Sequence, residues 1–139
     1  MIAQLKETDL ALVLDFKFRK LEETGRCPLP ANWRQHSTER YQNLYSEGKC
    51  LHLGYLVDNR VIASAGAMLC DETPFLSMQP IRHGLLIDEY VLPEYRNQAI
   101  AGKLRDNLLV WLTEKGARLT ATIPPNLARL ACAAGNFRL

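Results

Sequence analysis

The sequence has little of what would mark a membrane protein or a nucleic-acid-binding protein. Its 139 residues carry a net charge of +2, without the clustered Lys and Arg of a nucleic-acid-binding surface. The longest apolar-rich run, Val61 to Cys70, is too short to cross a bilayer, and charges follow Met1 closely where a secretion signal needs an apolar core. We therefore expect one cytoplasmic domain with neither a nucleic acid nor a membrane as partner.

Metal-binding and nucleotide-binding motifs are also missing. The four cysteines lie far apart without a C-x-x-C pair, and His36, His52 and His83 show no ligand spacing. Cysteines of this kind are typical of buried or unreactive thiols. Neither a P-loop nor a G-x-G-x-x-G is present, which disfavours nucleoside triphosphates and dinucleotides as ligands. The sequence predicts no metal site.

Helical spacing of apolar residues predicts two helices in the first third of the chain. The first is capped by Thr8 or Asp9 and ends near Gly25. A proline-containing loop follows, and Ser37 or Thr38 caps the second helix. This loop is either one wall of a substrate cleft or ordinary surface.

Two β-like runs, 50–57 and 61–70, predict a hairpin. Asp58 and Asn59 between them suit a tight turn because both residue types tolerate positive φ. The next segment, 71–84, contains two prolines and mixed polarity and is predicted to be a loop. It is a lid or cleft edge, or a passive connection.

The second half of the chain predicts a strand, a helix and a further strand. Residues 85–92 are typical of a buried strand that Pro93 ends, and apolar residues then recur at helical spacing as far as Gly116. A strand over 118–123 completes one parallel crossover, and a short helix over 126–134 follows. These elements predict an α/β domain.

The turn between this strand and helix has the composition of an anion site. Asn97, Ala99, Ala101 and Gly102 are small or flexible, so the backbone can approach a ligand closely. The first amides of the helix have no partner within it, and the positive end of the helix dipole lies there with Arg96. A phosphate or pyrophosphate suits such a turn. The alternative is a plain β-α unit whose small residues only permit close packing.

The turn and its flanks resemble the acetyl-CoA-binding motif of the GNAT acetyltransferase superfamily. The residues are Val91-Leu92-Pro93-Glu94-Tyr95-Arg96-Asn97-Gln98-Ala99-Ile100-Ala101. The family's pattern is Arg or Gln, two residues, Gly, one residue, then Gly or Ala, after a strand that commonly ends in Val-x-Pro-x-x-Arg. Arg96 and Ala101 match, whereas Ala99 replaces the usual glycine. The order of elements also resembles the family, which implies a GNAT-like mixed sheet with helices on both faces.

This resemblance implies acetyl-CoA as cosubstrate. The pantetheine arm would lie along Val91 and Leu92. The pyrophosphate would lie over the turn, whose implied cofactor-binding residues are Arg96, Asn97, Gln98, Ala99, Ile100 and Ala101. The implied reaction is direct transfer of the acetyl group to a primary amine of a small molecule or a peptide. A non-catalytic CoA-binding or protein-interaction module is the alternative.

Asp88 and Glu89 are the candidate catalytic residues, because the acceptor amine must lose a proton. Neighbouring strand residues face opposite sides of a sheet, so only one of the two can face the cleft. An unperturbed carboxylate is a weak base, and either residue could instead order the cleft by hydrogen bonding. The family's proton-donating tyrosine is replaced by Ala131 or Cys132, which leaves the general acid unassigned.

The chain stops at Leu139, where family members usually continue into one or two more strands. We therefore expect the sheet to lack its final C-terminal strands and to expose an edge. An open edge can pair with another chain, so we expect a homodimer through that edge, a swapped element or a shortened chain.

Overall fold

A computed structural model describes residues 1–25, 29–72 and 81–122. The expected C-terminal helix over 126–134, with Ala131 and Cys132, lies outside these ranges. The elements, in chain order, are β1 (Ile2–Gln4), α1 (Leu10–Glu23), α2 (Trp33–Ser46), β2 (Cys50–Val57), β3 (Arg60–Glu72), β4 (Ile81–Val91), α3 (Ile100–Glu114) and β5 (Leu119–Thr122). Within the described ranges, no helix combines the length and apolar character needed to cross a membrane.

The five strands form one mixed sheet in the order β1-β2-β3-β4-β5. All neighbours are antiparallel except β4 and β5, which run parallel on either side of the α3 crossover. Helices α1 and α2 pack together on one face of the sheet, and α3 covers the other. The predicted α/β fold with a mixed sheet and helices on both faces is thereby confirmed.

The core beneath α3 follows from two sequence periods. Ile100, Leu104, Leu108 and Leu112 recur every four residues and are all buried. They pack against alternate small residues of β3 at positions 63, 65 and 67, all of them buried alanines. The small strand side chains allow the helix to lie close to the sheet, and this fixes the start of α3 beside the end of β4.

β4 carries a bulge halfway along its length. Ser64 of β3 pairs with Tyr90 and Gly66 pairs with Ile87, so two steps along β3 match three along β4. The extra residue belongs to the Asp88 region, and Asp88 itself has a φ of 55°. The bulge lies just beyond the last residue of β4 that pairs with the described part of β5.

Three expectations about element bounds were wrong. The second helix begins at Trp33, before the expected cap at Ser37 or Thr38, because the Trp33 ring stacks on Phe18 of α1 with centroids 5.9 Å apart. The segment 71–84 is only partly a loop, since tertiary pairing extends β3 and β4 into it at both ends. The structure adds β1, which lies within a segment for which we predicted no strand.

The hairpin prediction is confirmed. Asp58 and Asn59 have φ values of 50° and 61°, and both connect β2 directly to β3. A turn of this kind needs positive φ at both central residues, which these two residue types tolerate.

Candidate active site

A cleft lies beside the end of β4. The two strands β4 and β5 pair from His83 to Leu86 on the β4 side, and residues 87–91 have no strand partner there among the described residues; we call this stretch the open edge of β4. The cleft there has a volume of about 510 Å³. It is lined by the end of α1, the end of β4, the turn and the start of α3: Lys20, Glu23, Thr24, Glu89, Tyr90, Val91, Tyr95, Arg96, Asn97, Ala99, Ile100 and Ala101.

Most of the residues expected to bind the cofactor therefore meet at one place. The lining includes the candidate base Glu89 and six of the expected cofactor-binding residues, namely Val91, Arg96, Asn97, Ala99, Ile100 and Ala101. Within the described part of the chain, Asp88, Leu92 and Gln98 are the expected site residues that do not line it.

The turn has two residues in the left-handed region. Asn97 has a φ of 65°, and Ala99, which immediately precedes α3, has a φ of 60°. Glycine adopts this conformation without the steric cost that a Cβ adds, which explains physically why glycine is usual at the position of Ala99. The first N–H groups of α3 follow directly and have no partner within the helix.

The open edge of β4 presents alternate backbone groups. The N–H of Leu92 donates to the carbonyl of Ile62 on β3, at 3.0 Å. Because successive residues of a strand point their backbone groups to opposite sides, Val91 and Glu89 direct theirs away from β3. Their carbonyls accept hydrogen bonds from the side chains of Arg96 (2.9 Å) and Lys20 (2.9 Å). Val91 thus faces the open edge, whereas the N–H of Leu92 is already used within the sheet.

Arg96 is held by three groups of the chain itself. Its Nε–H donates to the Val91 carbonyl, and its Nη2 lies 2.8 Å from Oε2 of Glu23. Its guanidinium also lies over the ring of Tyr90, 5.4 Å from the centroid. The Tyr90 hydroxyl donates to Oε1 of Glu23 at 2.8 Å. That hydrogen bond, followed by Arg96, lowers the pKa of Glu23 below its usual value.

The two adjacent carboxylates at the bulge have different surroundings. Glu89 lines the cleft and binds Arg105 of α3, with 3.0 Å between Nη2 and Oε1. The side chain of Asp88 is almost completely buried, with 4% of it exposed. Its Oδ1 lies 3.1 Å from Nζ of Lys17, and its Oδ2 accepts from the Tyr41 hydroxyl at 2.5 Å and lies 2.9 Å from Nε2 of His52.

These contacts keep Asp88 ionised. Burial by itself would raise the pKa of Asp88, but the charge of Lys17, with His52 and Tyr41, more than offsets burial and holds the pKa well below its usual range. An ionised carboxylate only accepts hydrogen bonds, so His52 carries a hydrogen on Nε2. Burial lowers the pKa of Lys17, against the pull of Asp88. Asp88 therefore serves as the centre of a buried polar cluster on the α1 and α2 side of the sheet.

The second ring nitrogen of His52, Nδ1, contacts the remaining members of this cluster. This nitrogen lies 2.5 Å from the Tyr45 hydroxyl and 3.8 Å from Sγ of Cys50. Burial raises the pKa of Cys50 to about 12, so at neutral pH it stays a thiol. A Cβ added at Gly66 would lie 2.5 Å from Cδ2 of His52, so only glycine leaves room for the ring.

The sequence patterns did not predict this cluster, nor the contacts of Glu23 with Tyr90 and Arg96. One signal was available: Lys17 lies three residues after Leu14 and four before Leu21, inside the apolar stripe of α1, and a lysine there needs a partner. No local pattern identifies the members of the cluster, because the partners of Asp88 on α2 and β2 are 47 and 36 residues away from it in sequence.

Comparison with known proteins gives the context for this geometry. A family model described as the acetyltransferase (GNAT) family matches residues 18–134. Among curated proteins, no sequence matches.

Several solved structures share the fold. A predicted acetyltransferase with acetyl-CoA from Clostridium acetobutylicum has a TM-score of 0.80 and 19% identity, covering 100% of this chain and 90% of that one. A GCN5-related N-acetyltransferase from Ralstonia eutropha JMP134 has a TM-score of 0.78 and 18% identity, covering 99% and 91%. The aminoglycoside antibiotic 6'-N-acetyltransferase from Acinetobacter haemolyticus has a TM-score of 0.66 and 21% identity, covering 97% and 86%. The family model spans most of the chain, and the protein accordingly belongs to the GNAT family of acetyltransferases, whose acetyl donor is acetyl-CoA.

Proposed function

We propose that this protein transfers the acetyl group of acetyl-CoA directly to a primary amine of a small molecule or a peptide. The observation that carries the proposal is the cleft at the open edge of β4, which joins outward-facing backbone groups, the turn before α3 and a carboxylate. The structural neighbour from Acinetobacter haemolyticus, whose name specifies an aminoglycoside, supports a small-molecule amine as the first class to test.

The residues present fit acetyl-CoA. The carbonyls of pantetheine can accept from the outward-facing N–H groups of Glu89 and Val91, whose own carbonyls accept from Lys20 and Arg96, while Leu92 holds the strand to β3. The bound cosubstrate would supply an activated thioester. The pyrophosphate suits the turn, where helix amides, the helix dipole and a cation coincide. The turn residues proposed to bind it are Arg96, Asn97, Gln98, Ala99, Ile100 and Ala101.

For proton removal from the acceptor we propose Glu89, acting directly or through water. It is the one of our two candidate bases that lines the cleft, and Arg105 holds its carboxylate in place. To Asp88 we assign a positioning role, because Lys17, Tyr41 and His52 occupy its carboxylate. This role keeps the bulge, and with it the open edge, in register.

A non-catalytic CoA-binding module is the second candidate. Two observations favour it: Ala99 has a left-handed conformation that suits glycine better, and Asp88 is engaged by internal partners. Such a module would bind acetyl-CoA without turning it over in the presence of amines.

The test combines binding with turnover. Calorimetric titration with acetyl-CoA should give a dissociation constant near micromolar, which corresponds to about −8 kcal/mol. Release of free CoA thiol is then followed with a panel of small primary amines and lysine-containing peptides. Glu89→Gln should lower kcat/KM by about 100-fold or more, as expected for loss of a general base. Glu94→Gln, an exposed carboxylate in the turn after β4, is the matched control and should retain activity.

Binding without turnover on any amine would favour the CoA-binding module. An unchanged kcat/KM for Glu89→Gln would contradict our assignment of the base.

A further inference from the structure

Glu23 links the end of α1 to the turn that is expected to bind phosphate. It is the last residue of α1, and its two carboxylate oxygens bind groups 67 and 73 residues away: the hydroxyl of Tyr90 and Nη2 of Arg96. Both Glu23 and Arg96 line the cleft. The cation that would meet a ligand phosphate therefore already has an anion of the chain itself as partner.

We infer that Glu23 is an internal competitor for the phosphate end of the cofactor, so that its carboxylate lowers the affinity for acetyl-CoA. The inference rests on the proposed acetyl-CoA site. A carboxylate and a phosphate both present negatively charged oxygens to a guanidinium, and each uses the same N–H groups. The cofactor must displace Glu23 from Arg96 or bind beside a like charge.

Arg96 does not need Glu23 to stay in position. Its Nε–H donates to the carbonyl of Val91, and its guanidinium lies over the ring of Tyr90. Both contacts survive if the carboxylate is neutralised. Loss of the Glu23 charge should therefore release the Nη2 donor for a ligand without releasing the arginine, which distinguishes a competitor from a residue that orients Arg96.

The charge of the cleft leads to the same conclusion. Among the described residues, the charged side chains that line it are Lys20, Glu23, Glu89 and Arg96, two of each sign. Glu89 pairs with Arg105 of α3, which is not among the residues that line the cleft, whereas Glu23 pairs with Arg96, the lining cation that an incoming phosphate would meet. Hydrogen bonding from Tyr90, followed by Arg96, lowers the pKa of Glu23, which keeps it fully charged at neutral pH.

The same end of α1 covers the backbone edge. Lys20, in the last turn of the helix, donates to the carbonyl of Glu89 at 2.9 Å, where a pantetheine amide would bind. Two side chains from one helical turn thus occupy hydrogen-bonding positions that the cofactor needs. The affinity of the cleft is set in part by the end of α1.

The experiment measures the dissociation constant of acetyl-CoA for Glu23→Gln and for the unaltered protein at low and high salt. We expect Glu23→Gln to bind about three- to tenfold more tightly at low salt, with the gain reduced in high salt because screening weakens both the attraction and the repulsion. Both partners are exposed, with side chains 41% and 42% accessible, so the variant should unfold at nearly the same temperature.

Three controls make the outcome specific. Glu94→Gln removes an exposed negative charge near the turn and should raise the affinity for acetyl-CoA by less than Glu23→Gln does. Acetyl-pantetheine lacks the phosphates and should bind both proteins equally. In an Arg96→Gln background, Glu23→Gln should have little further effect.

Equal or weaker acetyl-CoA binding by Glu23→Gln would overturn the inference while leaving the proposed function intact. A gain that is matched by Glu94→Gln, or that extends to acetyl-pantetheine, would also overturn it. If neither protein binds at millimolar ligand, the proposed function fails and the inference fails with it. Binding by Glu23→Gln alone would support both.

Discussion

Replacing Ala99 by glycine should stabilise the protein. Ala99 has a φ of 60° at the residue before α3, where a left-handed L-residue costs about 1–2 kcal/mol. Glycine avoids this cost but loses about 0.5–1 kcal/mol more conformational entropy on folding. The difference between these two ranges is a net stabilisation of about 0–1.5 kcal/mol for Ala99→Gly, with a central value of about 0.7 kcal/mol. For a chain of this size it corresponds to a rise of about 2–3 °C in the unfolding midpoint.

The assay is urea unfolding followed by circular dichroism, with thermal unfolding as a second measurement. Two neighbouring positions provide controls. Asn97 has a φ of 65°, but asparagine tolerates this region, so Asn97→Gly should raise the free energy of unfolding by less than Ala99→Gly does. Gly102 lies inside α3 with open space where a Cβ would stand, so Gly102→Ala should be stabilising by about 0.5–1 kcal/mol. Glycine is thus the more stable residue at position 99, whereas alanine is the more stable one at position 102, three residues later.

The reasoning would be refuted if Ala99→Gly lowered stability, or if Asn97→Gly gained as much. The same variant tests the site. Because glycine also removes a methyl group at the cleft, acetyl-CoA should bind Ala99→Gly as tightly as before or more tightly. A substantial loss of affinity would mean that the turn does not bind the cofactor as we propose.

Three further predictions concern the buried cluster. Lys17→Met should lower the free energy of unfolding in urea by about 3–5 kcal/mol, because it leaves the buried Asp88 carboxylate without its main counter-charge. The double variant Lys17→Met, Asp88→Asn should recover most of this loss. Equal losses in the single and double variants would contradict the coupling. Gly66→Ala should cost about 1–3 kcal/mol because its Cβ would lie 2.5 Å from a ring atom of His52, and a neutral result would place the ring elsewhere. Stability should fall as the pH rises above about 9, by up to about 1.4 kcal/mol per pH unit for each group that ionises only in the unfolded chain. Cys50 is one such group, since its pKa is raised to about 12 in the folded protein, and Cys50→Ala should make the alkaline decline shallower; an unchanged slope would argue against its burial.

The fold was largely predictable because its main signals are local. The stripe of α3 and the turn residues Asp58 and Asn59 act within a few residues, and the structure has both where the periods and turn chemistry predict them. The predicted start of α2 was wrong because a ring contact between Trp33 and Phe18, on different helices, outweighs the local capping preference. The predicted loop over 71–84 was too long for a similar reason, since pairing between β3 and β4 extends both strands into this segment.

The sequence by itself determined the order of the helices and of strands β2 to β5, the hairpin turn at Asp58 and Asn59, and the resemblance of the turn before α3 to the GNAT motif. Only the tertiary structure decided which of two adjacent carboxylates meets the cleft. A single extra residue in β4 sets the directions of Asp88 and Glu89, and partners on α1, α2 and β2 then hold Asp88 in the interior. Strand register and long-range contacts determine such directions, and neither is encoded within the few residues around the bulge.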